Sequence, residues 1–215
     1  MLSAAINLSH RVVRRVLDIP RKGLPVFRSK PLEGGFDKEY GVETASLVWL
    51  TNPFSKNFGQ GCRYEASNPL DVQWAISTSG IDTSQFSFVD VGCGKGRPLI
   101  VASTYAFPKL VGIEYSPRLC KQSVANLLKC GVPPDRFEIV CADATEAAFP
   151  DGDLFVFFYN PFAPPIIRRV LENLRAHKGR LFVTFTGQFR GEMENHSWLR
   201  KVNAVNSTVL YEHPL

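Results

Sequence analysis

Long apolar runs are missing from this chain of 215 residues, and none approaches the roughly 20 residues that cross a bilayer, so no transmembrane segment is expected. Cysteine is sparse and odd in number. Cys62, Cys93, Cys120, Cys130 and Cys141 contain no Cys-x-x-Cys pair, which argues against a disulfide framework and a structural zinc site. Thiols used this way fit a reducing compartment, and the expected location is cytoplasmic. Histidine is equally thin. His10, His177, His196 and His213 are scattered, none is spaced with a carboxylate or cysteine into a ligand set, and no metal is expected. There is no P-loop, no Gly-x-Ser-x-Gly nucleophile elbow, no internal repeat and no low-complexity tract. The segment after the first basic residues lacks an unbroken apolar stretch, so a secretory signal is not expected.

Acidic residues are nearly absent from the first thirty positions. Arg11, Arg14, Arg15, Arg21, Lys22, Arg28 and Lys30 face only Asp18, a balance of +6. The whole chain carries +5, so the remainder carries −1. The basic character therefore belongs to an arm, expected over residues 1–34, with the folded domain over 35–215. The arm reads as a solvated leader. Contact with an anionic membrane or nucleic acid, or organelle import through an Arg-rich amphipathic helix from Ala4 to Leu17, are the sharper alternatives.

What is present is an alternation of periods. Phe36 to Arg63 is rich in aromatic and turn residues and reads as a loop or short-helix extension. Asn68-Pro69 marks a helix start that runs to about Thr78 and stops near Gly80. Strands are then expected at Phe86–Val91, Leu110–Glu114, Phe137–Cys141, Leu154–Tyr159 and Arg180–Thr186, and Trp198 to Tyr211 can supply a closing hairpin. Helices are expected between them at Pro98–Tyr105, Pro117–Cys130 and Pro165–Ala176. Strands alternating with helices of this length predict an α/β fold: a Rossmann-like, doubly wound, mostly parallel seven-stranded sheet with an N-terminal helical or loop extension. Ligands of such sheets sit at the carboxyl ends of the strands.

The first strand ends in Asp90-Val-Gly-Cys-Gly-Lys-Gly-Arg97. A dinucleotide loop needs Gly-x-Gly-x-x-Gly, and Arg97 stands where its third glycine would be. An acid followed by Gly-x-Gly-x-Gly instead resembles motif I of class I S-adenosylmethionine-dependent methyltransferases. That resemblance implies S-adenosyl-L-methionine as cofactor, with Asp90, Gly92, Cys93 and Gly94 around its amino-acid end. Glu114 ends the second strand and can accept two hydrogen bonds from a ribose diol, and Tyr115 beside it can cover the adenine. Asp143, with Ala144, ends the third strand where the family meets the adenine amino group. Three acids at three successive strand ends cover Phe86 to Ala144.

The fourth strand ends in Tyr159-Asn-Pro-Phe-Ala163, which resembles the (Asp/Asn)-Pro-Pro-(Tyr/Phe) motif of amino-directed methyltransferases. The resemblance implies that Asn160 and a backbone carbonyl accept hydrogen bonds from the target nitrogen, while Pro161 and the Phe162 ring shape the site; catalysis is then chiefly alignment. One proline is missing, so Phe162 comes a residue early. The same segment, with Arg63-Tyr64-Glu65, is loosely similar to non-SET histone-lysine methyltransferases. Phe36 to Leu199 also resembles uncharacterised bacterial class I methyltransferases that open Gly-Phe-Asp-x-x-Tyr-Gly-Val-x-Thr, here Gly35 to Thr44. From these resemblances Tyr40, Thr44 and Tyr64 are candidate lid residues over the cofactor, with aromatic packing as the alternative. His196 is a weak candidate general base if its segment returns to the top of the sheet.

The expected function is methyl transfer from S-adenosyl-L-methionine to a nucleophilic acceptor, a nitrogen of a protein side chain or small amine, by in-line displacement. A nicotinamide-dependent oxidoreductase and a non-catalytic scaffold subunit are the alternatives, and Arg97 and the three acids weigh against them respectively. Nucleic acid ranks below protein or small amines as acceptor, because the domain lacks net positive charge.

Overall fold

The computed structural model describes residues 35–46, 64–160, 162–189 and 191–213. The expected arm over 1–34, residues 47–63, Pro161 and Arg190 lie outside the described residues.

Seven strands form one sheet, β1 (Phe86–Val91), β2 (Leu110–Glu114), β3 (Phe137–Cys141), β4 (Asp153–Tyr159), β5 (Leu181–Thr186), β6 (Arg200–Val205) and β7 (Thr208–His213). Their order is β3-β2-β1-β4-β5-β7-β6. β1 to β5 are mutually parallel, while β7 runs antiparallel to both β5 and β6. The chain winds outward from β1 through β2 to β3, then restarts beside β1 at β4. That reversal opens a crevice at the carboxyl ends of β1 and β4, where open α/β sheets hold ligands.

The expected strands and hairpin are in place. β4 and β5 each begin one residue from expectation, because Arg180 stays outside the ladder and donates from its backbone N–H to Asp153 Oδ1 at 2.8 Å. The helices are α1 (Gly35–Tyr40), α2 (Pro69–Ser79), α3 (Arg97–Ser103), α4 (Pro117–Lys129), α5 (Pro164–Arg175) and the short α6 (Gly191–Glu194). Local chemistry sets their ends. Asn68 caps α2 through Leu70 N–H, and Gly80 ends it with a φ of 66°. Ser116 caps α4 ahead of Pro117. α3 stops two residues earlier than expected; Arg136 donates to the carbonyls of Ser103, Tyr105 and Phe107 at 2.9, 2.6 and 3.0 Å, holding this stretch as a turn.

Two buried clusters sandwich the sheet. Phe88, Phe155, Phe157, Leu99 and Leu127 belong to the cluster under α1 to α4. Val89, Val156, Phe158, Ile167, Leu171 and Met193 belong to the one under α5 and α6. Strands buried on both faces read as continuous apolar runs, which explains Leu154 to Phe158. No helix among the described residues is long and apolar enough to cross a membrane.

Candidate functional site

Parallel strands bring their carboxyl ends to one edge of the sheet. In spatial order that edge carries Asp143 after β3, Glu114 at the end of β2, the loop after β1, Asn160 after β4 and Gly187 after β5. Asp90 pairs with Gly112 and Phe157, and Glu114 with Cys141, so in-register neighbours point to the same face.

The β1 loop is a tight bend. Gly92 and Cys93 N–H both donate to Ile113 O, at 2.8 and 3.0 Å, and Gly96 N–H donates to Cys93 O at 2.8 Å. Gly92, Gly94 and Gly96 have φ of 81°, 53° and 84°. Gly94 meets a second constraint, because a Cβ there would lie 2.2 Å from the Tyr64 ring. Glu114 braces the bend, accepting from Gly94 N–H at 3.0 Å and from Ser116 N–H at 2.9 Å. Burial nevertheless pushes its carboxyl up to about 6.

Asp90 is buried, and its Oδ2 has no hydrogen-bond partner among the described residues. Removal from water, and secondarily the Glu114 charge, raise its carboxyl well above the usual range. A cationic ligand group at this spot would satisfy the unmatched oxygen, so the residues fit a cofactor bearing an ammonium and a sulfonium. Asp143 accepts from Thr145 N–H and Oγ1–H at 2.9 and 2.8 Å and shapes the turn after β3. Ala144 behind it is buried, and Cys93 is buried with its thiol pushed upward by burial and by Asp90. Tyr115 is half-buried, and burial with the neighbouring Glu114 charge lifts its hydroxyl to about 12.

The extension is clasped to this loop by two buried cations. Arg97 donates from Nε to Thr44 Oγ1 at 2.7 Å, from Nη1 to Ser67 O at 3.1 Å and from Nη2 to Asp37 Oδ1 at 3.3 Å, with its guanidinium 5.0 Å over the Phe36 ring. Asp37 also accepts from the N–H groups of Thr44 and Ala45, both at 2.7 Å, and from the Thr44 hydroxyl. Burial opposes the Asp37 charge, but these donors and Arg97 outweigh it and hold the carboxyl below its usual range. Lys95 bonds both Glu43 oxygens at 2.7 Å and Ser46 O at 3.1 Å. The Tyr64 hydroxyl donates to Thr44 O at 2.6 Å, with Lys95 Nζ 5.2 Å from its ring. Both cations of the glycine bend are thus matched by carboxylates of the extension, which leaves little positive charge for a pyrophosphate.

Asn160 sits in the left-handed region with φ 42°. Its N–H donates to Thr186 O at 2.7 Å, and its buried Oδ1 has no partner among the described residues. Gly187 lies against it: a Cβ there would come within 2.9 Å of Asn160 Cβ.

The strand tips therefore bring Asp90, Gly92, Cys93, Gly94, Glu114, Tyr115, Asp143, Ala144 and Asn160 to one edge, with Tyr64 laid on the bend. Thr44 is fully buried, its hydroxyl held between Asp37 and Arg97. Tyr40 stacks on Phe36 at 4.5 Å in the core, so packing accounts for it. Phe162 is buried in the α5 cluster, and Pro161 lies outside the described residues. His196 does not return to the top of the sheet. Its ring neighbours Trp198, which neighbours His213, and His213 pairs with Leu181 at the amino end of β5. His213 is about 17 Å from the strand tips, and the ring contacts tie His196 to it rather than to those tips. Asp37, Glu43, Lys95 and Arg97 were not singled out as site residues; Arg97 in the glycine's place and the Gly-Phe-Asp opening were the available signals.

A family model described as a methyltransferase domain matches residues 88–177. Among solved structures, the chain is similar to a SAM-dependent methyltransferase from Aquifex aeolicus (16% identity, TM-score 0.52, 67% of this chain and 90% of that one). A SAM-dependent O-methyltransferase from Thermotoga maritima is similar at 16% identity and TM-score 0.50, over 68% and 65% of the two chains. A mitomycin 7-O-methyltransferase aligns at 18% identity and TM-score 0.50; 67% of this chain covers about half, 52%, of that one. At these identities the likeness is one of fold. No relative is found among curated proteins.

Proposed function

We propose that this chain, which carries a methyltransferase domain, acts as a class I S-adenosylmethionine-dependent methyltransferase whose methyl acceptor is a nitrogen, in a protein side chain or a small amine, presented to Asn160. The observation that carries this reading is the Asn160 side chain. It stands at the crevice beside β1, on a left-handed backbone, with a buried amide oxygen that has no partner among the described residues. An amide oxygen accepts an N–H but takes no proton, so it can hold an amine with its lone pair directed at the methyl carbon. A hydroxyl acceptor needs a base. Of the described histidines, His177, 2.6 Å from Gly152 O ahead of β4, and His213, opposite Leu181, lie toward the amino edge, and His196 is joined to His213 through Trp198.

The remaining residues hold the cofactor, whose sulfonium supplies an electrophilic methyl group. Asp90 and the Gly92-Cys93-Gly94 bend take its amino-acid end, Glu114 its ribose, and Tyr115, Asp143 and Ala144 its adenine. Tyr64, positioned through Thr44, closes over the bend. The basic arm is proposed as a contact for an anionic surface.

Asn160→Gly tests the acceptor role without straining the fold, because glycine suits a φ of 42°. With methyl-labelled cofactor and a panel of amines, peptides and hydroxyl compounds, wild type should give N-methyl product. The variant should lose about 100-fold in turnover, with cofactor affinity unchanged and an undiminished melting temperature. O-methyl product, or full activity in the variant, would overturn the nitrogen reading.

A further inference from the structure

Two thiols that the methyl-transfer reading leaves unused lie together beside the acid proposed for the ribose. β2 and β3 pair in register, so Cys141 is the partner of Glu114 and its side chain lies on the same face. That face is the one α4 covers, and α4 carries Cys120 in its first turn. Cys120 Sγ lies 3.2 Å from Glu114 O, and that carbonyl also accepts Ala142 N–H, the residue after Cys141, at 3.0 Å. Cys120 and Cys141 thus flank the end of β2 from α4 and from β3, on one face of the sheet. One of the pair is reachable, since Cys141 is exposed while Cys120 is buried. The other described thiols are elsewhere. Cys93 is buried in the glycine bend, and Cys130 closes the far end of α4, about 15 Å along the helix from Cys120.

We propose that Cys120 and Cys141 form a thiol–disulfide exchange site, at which a low-molecular-weight disulfide introduces a reversible cross-link that weakens cofactor binding. The Cys141 thiolate attacks the small disulfide, forms a mixed disulfide and releases one small thiol. Cys120 then displaces the second small thiol as its own proton leaves. Two protein thiols are oxidised to one disulfide while one small disulfide is reduced to two thiols.

The consequence for binding follows from position. Closing the bond holds the sulfurs about 2.0 Å apart and draws α4 and β3 together. The movement falls on the end of β3, an edge strand paired on one side only, two residues before Asp143. It also removes the Cys120 donor from the Glu114 carbonyl. Linkage requires the reverse effect, so bound cofactor makes the cross-link less favourable at equilibrium. This consequence rests on the cofactor reading given above.

The test treats the full chain with oxidised glutathione and reads two quantities. Intact mass and peptide mapping should show loss of two hydrogens and a Cys120–Cys141 peptide. Calorimetric titration with S-adenosylmethionine should show affinity lowered about tenfold, restored by dithiothreitol. Cys120→Ser and Cys141→Ser should bind like the reduced wild type before and after treatment. A cross-link through Cys62, a mixed disulfide that goes no further, or a Cys120–Cys141 bond that leaves affinity unchanged would overturn the proposal. A reduced wild type that binds no cofactor would instead sink the cofactor reading, and the effect on binding with it, while the mass would still decide the cross-link.

Discussion

A carboxylate oxygen taken out of water with no partner costs folding energy, and Asp90 Oδ2 is in that position among the described residues. Its carboxyl is raised by burial and by Glu114, so over the pH range between its unfolded and folded values the folded chain holds a proton that the unfolded chain has released. Stability of the cofactor-free protein therefore falls as pH rises from the usual carboxylate range toward neutrality. Glu114 adds the same sign between its ordinary value of 4.5 and about 6. Asp90→Asn removes the larger contribution. It is expected to raise the melting temperature at pH 8, to change it little at pH 4, and to abolish cofactor binding. Thermal scans at the two pH values and a calorimetric titration check all three. A variant less stable than wild type at pH 8 would contradict this account of Asp90. Asn160 shows the same trade at the other side of the crevice, a left-handed backbone and an oxygen with no partner among the described residues, kept where a substrate can use them.

At the scale of elements, the clasp between α1 and the β1 loop is the least expected feature. Arg97 appears in the sequence only as the residue that spoils a dinucleotide pattern. In space it joins Asp37, Thr44 and the Ser67 carbonyl. Removing one member of a buried ion pair strands the other, so Arg97→Gln should destabilise the protein by about 3 kcal/mol. Because the Thr44 carbonyl accepts the Tyr64 hydroxyl and so holds that ring on Gly94, cofactor affinity should fall as well. Asp37→Asn should do the same, and the double variant should cost less than the two singles added, since the pair is one unit. A double-mutant cycle on melting and on affinity measures this; strict additivity would show that the clasp does not act as a pair. Strands and long helices were legible because each buries a face with its own period and carries local caps, as Asn68, Ser116 and Gly80 show. The partners of Arg97 and Lys95 were not, because ion pairs spanning 60 and 52 positions leave no periodic trace. His196 went astray for a related reason: nothing in its local sequence tells which edge of the sheet a connection returns to.

For the whole molecule, the reversal of winding between β1 and β4 matters most, since it brings residues 70 positions apart, Asp90 and Asn160, to one crevice. We propose that the domain begins at Gly35, where α1 starts and the clasp is anchored. A chain starting at residue 35 should keep the melting temperature and cofactor affinity of the full protein. One starting at residue 65 should lose both, because Asp37, Thr44 and Tyr64 go with it. S-adenosylmethionine at 100 times its dissociation constant should stabilise the full chain by about 2.7 kcal/mol. Thermal scans with and without cofactor read both effects, and equal behaviour of the two shortened chains would remove the clasp from the site.

The sequence by itself determined the alternation of strands and helices, the glycine bend with its leading acid, and the acids at the next two strand ends. Each is a local matter of period, capping and backbone freedom. Only the tertiary structure decided which charges neutralise each other, that His213 lies at the amino edge, that Phe162 turns into the core and that Cys120 reaches the Glu114 carbonyl beside Cys141. Those outcomes depend on packing between segments far apart in the chain, where burial fixes the cost of each polar group and no local pattern records it.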